Sequence, residues 1–277
     1  MINRPSPIPI TLTIAGSDSS GGAGIQADLR TFSAFGVYGA SVVTALTAQN
    51  TRRVDGVLEI APSFVMAQLR SVLSDLTVRA AKTGMLANKE IVLAVADALD
   101  AHPDFPLVVD PVIVATSGEV LLEARAVDAV KQRLFPRAAL LTPNLPEAAL
   151  LLGANEARDE GEMVAQAKAL AASGCRSVLL KGGHGTGELA VDVLVHDRTV
   201  TRFETSRVET PHTHGAGCTL SAAITALLAS GATLLTAVER AKRYVWRAIQ
   251  SGQSLGVGHG RGPLDHLFAI RASEASA

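Results

Sequence analysis

The chain lacks most of what a nucleic-acid-binding, secreted or membrane-embedded protein needs. No run of basic residues is longer than a pair, and 25 Lys plus Arg stand against 26 Asp plus Glu for a formal charge of -1. Binding nucleic acid requires a concentrated positive face that displaces counterions from phosphates, so no nucleic-acid partner is expected and the partner is read as a small molecule. Only two cysteines are present, Cys175 and Cys218, in unrelated contexts. The stretch Arg4 to Ile10 carries prolines where a secretion signal would carry an apolar core, which predicts a reduced, cytoplasmic protein. Internal repeats, low-complexity segments and linkers are missing as well, and 277 residues suit one large domain better than two. One domain spanning 1–277 is therefore expected.

One segment imitates a membrane span, because no charged residue occurs from Cys218 to Val238. Ser221, Thr225, Ser230, Thr233 and Thr236 interrupt it, and Ser230-Gly231 followed by Thr233 has the form of a helix stop and a new N-cap. Two buried helices and no membrane contact are expected. Apolar residues form 48% of the chain and charged ones 18%, enough for a sheet covered on both faces.

The pattern alternates. Ile10 to Ala15 reads as a strand, and Ile25, Leu29, Phe32 and Gly36 follow at helical spacing. The alternation continues with strand Ala40–Ala48, a helix through Val65, Leu69, Val72 and Leu76 behind Pro62, strand Val78–Lys82, and a helix through Ile91, Val95 and Leu99. Strand Leu107–Asp110, a helix through Val127, Val130 and Leu134, strand Ala138–Thr142, helix Met163–Ala172 and strand Ser177–Lys181 complete it. Leu189–Val195 and Thr199–Phe203 predict a hairpin turning at His196-Asp197-Arg198. Such an order predicts an α/β fold with a mostly parallel central sheet and helices on both faces, one edge antiparallel. Ligands in such sheets bind beyond the carboxyl ends of the strands.

The unusual residues fall at those ends. Gly16-Ser17-Asp18-Ser19-Ser20-Gly21-Gly22-Ala23-Gly24 is not a Walker loop, since Gly22-Ala23 stand where Lys and Ser/Thr belong. Gly22 to Ala27 satisfies a dinucleotide fingerprint, but it lies too far past the strand, and the next strand ends in Gln49-Asn50 without an acid. Gln49 offers a paired donor and acceptor for a ring edge, and Met85 a soft surface for a flat ring. Asp110 and Thr142-Pro143-Asn144-Leu145-Pro146-Glu147 bring hard oxygen donors that suit Mg²⁺. For Glu147 the alternative is a first-turn acid favoured by the helix dipole. Lys181-Gly182-Gly183-His184 sets a cation beside permissive backbone.

The strongest local signal is His214-Gly215-Ala216-Gly217-Cys218-Thr219-Leu220, glycines running into an apolar helix. Backbone N–H groups there form an anion site, and the same field favours Cys218 as thiolate. A zinc site from His212, His214 and Cys218 lacks a fourth ligand at metal spacing.

Together, AGSDSSGGAGIQADL, TALTAQNT, KTGML, VVDPV, TPNLPEA, KGGH, HTHGAGCTLSAA and GVGHGRGP resemble the hydroxymethylpyrimidine and phosphomethylpyrimidine kinases, a branch of the ribokinase-like kinases, over about Thr11 to His266. The resemblance implies a ribokinase-like fold without a β lid, ATP and Mg²⁺ as cofactors, a small pyrimidine as substrate and a homodimer. It implies that Gln49 pairs with the pyrimidine, that Gly16, Met85 and Val112 line the ring pocket, and that Asp28 holds the hydroxymethyl end. It gives Asp110 and Glu147 to the metal, Asn144, Lys181, Gly183 and Thr213 to the nucleotide, and Gly215, Ala216 and Gly217 to the anion hole. Cys218 is the implied general base. Ala216 stands where Thr is common in the family, and Thr47 replaces an aliphatic residue beside the pocket. A pyridoxal kinase of the same superfamily is the close alternative, and a pyrimidine sensor without catalysis the distant one.

Overall fold

The computed structural model describes residues 7–113, 122–183, 185 and 187–274. His184, which belongs to one of the quoted motifs, lies outside them. Among the described residues nine strands form one sheet: β1 (Ile10–Asp18), β2 (Tyr38–Gln49), β3 (Val54–Glu59), β4 (Val78–Thr83), β5 (Leu107–Val109), β6 (Leu140–Leu141), β7 (Ser177–Lys181), β8 (Leu189–His196) and β9 (Thr199–Ser206). Their spatial order is β3-β2-β1-β4-β5-β6-β7-β8-β9. The strands from β2 through β7 in that order are mutually parallel, while β3 and the β8–β9 hairpin run antiparallel at the two edges.

The helices are α1 (Gly24–Ala34), α2 (Pro62–Leu73), α3 (Lys89–Asp100), α4 (Ala124–Ala129), α5 (Leu145–Leu152), α6 (Glu160–Ala172), α7 (Ala216–Ala229), α8 (Leu234–Gly252) and α9 (Phe268–Glu274). Side chains alternate across the sheet with the period of two that a strand imposes. Leu107 and Val109 join the core shared with α2, α3 and α6, whereas Val108 between them joins the core under α7 and α8. Leu141 and Leu140, and Leu180 and Leu179, divide the same way. Both faces are thus dry and helix-covered, which is why the parallel strands are almost continuously apolar.

The uncharged segment is two helices. Ser230 closes α7, Gly231 takes φ 86°, and the Thr233 side chain accepts from the Thr236 N–H to open α8. Among the described residues no helix is long and apolar enough to cross a membrane. The hairpin turns where expected, with Asp197 and Arg198 both left-handed at φ 46° and 64°, the geometry that matches strand twist.

Three expectations shift. The first strand runs on to Asp18 through a register shift between Ala15 and Ser17, so Gly16 lies in a bulged strand and not in a turn. Edge strand β3 has no counterpart in the sequence reading, since Gly56 and a mostly exposed face hide it. The helix through Val130 continues α4 as a π-helix, Val130–Leu134, before a 3-10 turn at Phe135–Arg137. Pro136 has no N–H and crowds the carbonyl four residues back, so the α spacing cannot run through it.

Candidate active site

The order in which strands are added reverses at β1, with β2 on one side and β4 on the other. Carboxyl-terminal loops diverge at such a switch point and leave a crevice. A cavity of about 530 Å³ occupies it. Its lining includes Gly16, Gln49, Met85 and Val112, Asp110, Asn144, Glu147, Lys181 and Gly183, and Thr213, Gly215, Ala216, Gly217 and Cys218. Of the site residues that the resemblance implies, Asp28 is the one that does not line it.

Gly16 is explained by its neighbour. A Cβ there would stand 3.1 Å from the Met85 sulfur, so the bulge and a glycine are what let Met85 lie against the strand end. Gln49 ends β2 on the facing side. Asp28 sits on α1 with no exposed surface and both carboxylate oxygens taken, by Lys82 Nζ at 2.9 and 3.0 Å and by Thr13 Oγ1 at 2.6 Å. It does not line the cavity; it neutralises Lys82. Burial presses Lys82 toward its neutral form, and the Asp28 carboxylate overrides this, keeping the ammonium above its ordinary range.

Lys181, at the end of β7, donates to Asp110 Oδ1 at 3.0 Å and lies 3.9 Å from Glu147. Burial opposes its charge, but Asp110 and Glu147 hold it above the usual lysine range. Asp110 also accepts from Thr142 Oγ1 and Ser221 Oγ, each at 3.0 Å. Burial presses its carboxyl upward, and Lys181 with Lys82 outweighs that and holds it below the ordinary value. Burial pushes Glu147 up to about 7 against the pull of Lys181. Glu147 and Asn144 form a reciprocal capping box, each side chain accepting from the other's backbone N–H at 2.8 Å. Glu147 is therefore a first-turn helix acid and a cavity-lining carboxylate at once, and Asn144 spends its carbonyl oxygen on the cap.

The glycine turn is built by contact. Gly215 has φ 82°, and a Cβ on it would meet the Gly22 carbonyl at 2.0 Å, so α7 starts pressed against the turn before α1. The Ala216 N–H is spent on the Thr213 carbonyl at 3.1 Å, which removes it from the expected anion donors. Thr219 makes the first i→i−4 bond, to Gly215 at 2.8 Å, leaving the N–H groups of Gly217 and Cys218 ahead of it as the helix's free donors. The Cys218 thiol does not follow the helix field. Burial raises it to about 11 even though Lys82 and a bond from the Gly24 N–H pull the other way, so at neutral pH it is a thiol and not the expected thiolate. His212 is tied to the Gly262 N–H, and His214 to Asp18 at 2.8 Å, so neither ring turns to a shared metal with Cys218.

Sequence reasoning passed over a further part of the lining, where Thr205 on β9, Arg207 just beyond it, and Val245 and Trp246 on α8 line the cavity. Arg207 staples the neighbouring loop through the carbonyls of Gly183, Gly187 and Leu189. The buried pair Lys242–Asp192, at 2.7 Å, joins α8 to β8 beneath it. Lys242 looks in sequence like the polar side of an amphipathic helix, so only the fold reveals it.

The profile of the phosphomethylpyrimidine kinase family matches residues 18–265. A hydroxymethylpyrimidine/phosphomethylpyrimidine kinase of Rhizobium meliloti is 52% identical over 258 residues, covering 93% of this chain and 97% of that protein. Among solved structures, an ADP complex of Bacillus subtilis pyridoxal kinase superposes with a TM-score of 0.88 at 38% identity, over 96% of this chain and 99% of that one. A phosphomethylpyrimidine kinase from Clostridium difficile gives 0.77 at 42% identity, over 88% and 100%.

Proposed function

The chain belongs to the phosphomethylpyrimidine kinase family, with a ribokinase-like fold, and on that premise we propose that it transfers phosphate from ATP to the hydroxymethyl arm of an aminopyrimidine, and again to the resulting monophosphate, for thiamine synthesis. The observation that carries this reading is the span of one cavity. Its lining holds Gln49 and Met85, suited to the edge and face of a flat ring, together with Gly217 and Cys218 and their free N–H groups, and Lys181 between two carboxylates.

Phosphoryl transfer has a loose transition state whose charge lies on the phosphoryl oxygens, so positioning and charge stabilisation do most of the work. Gln49 reads the ring edge and Met85 packs its face, which fixes the arm. The donors at the start of α7 and the Lys181 ammonium meet the phosphoryl charge. Thr213 and Gly183 line the nucleotide side with Asn144. Asp110 and Glu147 are hard oxygen donors beside Lys181 and would hold Mg²⁺, which would supply charge neutralisation to the phosphates. Burial keeps Glu147 up at about 7 even with Lys181 alongside, and the added charge of such an ion would favour its ionised form. Cys218, protonated when the site is free, serves as a packing and hydrogen-bonding group under the alcohol. We place the protein in the cytoplasm as a homodimer, with the exposed apolar side chains Leu46, Val57 and Leu58 on the β2–β3 edge available to a second copy.

A coupled assay of ADP release with hydroxymethylpyrimidine, its monophosphate and pyridoxal tests this. Turnover of both pyrimidines well above pyridoxal is expected. Pyridoxal as the better substrate by kcat/KM would replace the reading with a vitamin B6 kinase. Glu147→Gln should raise the Mg²⁺ concentration for half-maximal rate severalfold, and an unchanged titration would leave Glu147 as a cap alone.

A further inference from the structure

The amide of Gln49 can face its ring in either of two ways, and its neighbours choose between them. Asp18 lies at the end of β1 with 3% of its surface exposed. Its Oδ1 accepts from the Ser20 N–H and hydroxyl at 2.8 and 2.7 Å, and its Oδ2 from the Gly22 and Ala23 N–H groups at 3.1 and 2.8 Å. A carboxyl so supplied with donors has no use for a proton of its own. Burial would raise it, but the bonds from His214, Ser20 and Ala23 outweigh that and hold it well below the ordinary carboxylate range.

His214 Nε2 stands 2.8 Å from that same Oδ2. Since the carboxylate can only accept, Nε2 carries a hydrogen, whether the ring is neutral or charged. The ring cannot swing away, because it packs on Gly22, where a Cβ would come within 2.4 Å of its Cδ2. Gln49 lies next in line, placed with its Nε2 3.4 Å from His214 Nε2 and its Oε1 3.1 Å from Thr47 Oγ1. Thr47 has one hydroxyl proton, with the Ser17 carbonyl at 2.9 Å and Gln49 Oε1 at 3.1 Å as its two acceptors, and the shorter bond favours Ser17. A nitrogen toward His214 would set donor against donor, and an oxygen toward Thr47 would set acceptor against acceptor. Amide oxygen and nitrogen have nearly the same shape, so the assignment follows from the bonds. The His214 end calls for the placed amide to be turned over, to Oε1 toward His214 and Nε2 toward Thr47, and with the Thr47 proton on Ser17 the other end agrees.

We propose that Asp18, His214 and Thr47 are positioning residues that lock the Gln49 amide in this one orientation, and that the lock decides which way round an aminopyrimidine enters. The inference rests on the aminopyrimidine reading above. An aminopyrimidine edge offers a ring-nitrogen acceptor beside an exocyclic amino donor. The locked amide takes the amino group on the His214 side and the ring nitrogen on the Thr47 side. The hydroxymethyl group sits on the carbon beyond the amino group, so it continues past His214 toward Gly215 and the start of α7. The reversed amide would turn the same ring over and aim the arm away from the phosphoryl site. Thr47, an outlier in the sequence pattern, thereby gains a role as the second anchor.

The test compares two probes by calorimetry: the 4-amino-5-hydroxymethylpyrimidine and its 4-oxo analogue, whose N–H and C=O present the opposite order. The wild type should prefer the amino form by at least about tenfold, the worth of one well-made hydrogen bond. Thr47→Val should shrink that preference about fivefold, with Thr47→Ser restoring it. Equal weakening of both probes, or an unchanged ratio, would overturn the lock and leave Thr47 as a structural residue. Nitrogen NMR of imidazole-labelled protein without ligand should find hydrogen on His214 Nε2, and a bare Nε2 would equally overturn it. A wild type that binds neither probe would sink the aminopyrimidine reading itself, and the NMR result would still decide the lock.

Discussion

At Cys218 two physical effects of opposite sign meet, and burial wins. A thiol on the first turn of a helix gains from the dipole, but its surroundings raise it to about 11. Cys218→Ser should accordingly keep kcat within tenfold of the wild type with both ligands saturating. A loss of a hundredfold or more, the span of general-base removal, would restore the thiol as base. His266 is the second residue whose environment sets its chemistry. Its Nε2 lies 2.9 Å from Thr219 Oγ1, which itself donates to the Gly215 carbonyl, so the ring supports the glycine turn as a neutral donor. Burial, with Arg30 adding to it, lowers its value to about 4. An unfolded histidine takes up its proton near 6.5, so the unfolded chain binds the extra proton between those values. The group's contribution is present above pH 6.5 and lost as pH falls toward 4. It amounts to about 3 kcal/mol. His266→Gln keeps a donor and does not titrate, so the stability it loses between pH 7 and pH 4 in urea titrations should be smaller than the wild type's by about that amount.

At the scale of elements, the start of α7 is fixed by its close approach to the turn before α1. Gly215 and Gly231 flank the same helix, both with positive φ, yet a Cβ on Gly231 would meet nothing within 4 Å while one on Gly215 would strike the Gly22 carbonyl. Gly231→Ala should cost only the strain of a left-handed alanine, about 1 kcal/mol. Gly215→Ala adds the clash and should cost about 2 to 4 kcal/mol by denaturant midpoint, with a fall in kcat/KM that Gly231→Ala does not share. Similar costs for the two would mean that the turn yields freely and that α7 is not held by this contact.

Across the whole molecule, charge is buried where strands meet helices. Lys82 on β4 and Asp28 on α1 have no exposed side-chain surface and pair at 2.9 Å. Such a pair contributes little net stability, but breaking it leaves an uncompensated buried ion. Lys82→Met should cost about 3 to 5 kcal/mol in urea unfolding, and Lys82→Met with Asp28→Leu should recover much of that. Two additive single losses would show that the residues do not act as a pair.

How far the sequence reaches is clear from these residues. Apolar periodicity placed the strands and helices because alternation and helical spacing are local consequences of backbone geometry, and Ser230-Gly231 with Thr233 marked the break between α7 and α8 because caps are local bonds. The glycines before α7 and the strand-end positions of Gln49, Met85, Asp110 and Lys181 were legible for the same reason. The role of Asp28 was not, since its meaning depends on Lys82, 54 residues away, and a buried ion pair looks in sequence like two surface charges. Strand β3 was hidden because an edge strand needs only one partner and no buried face. The thiol state of Cys218, the spent N–H of Ala216 and the orientation of Gln49 were all decided by tertiary structure. Ionisation and hydrogen-bond direction depend on which groups the fold brings within about 3 Å, and no local pattern encodes that.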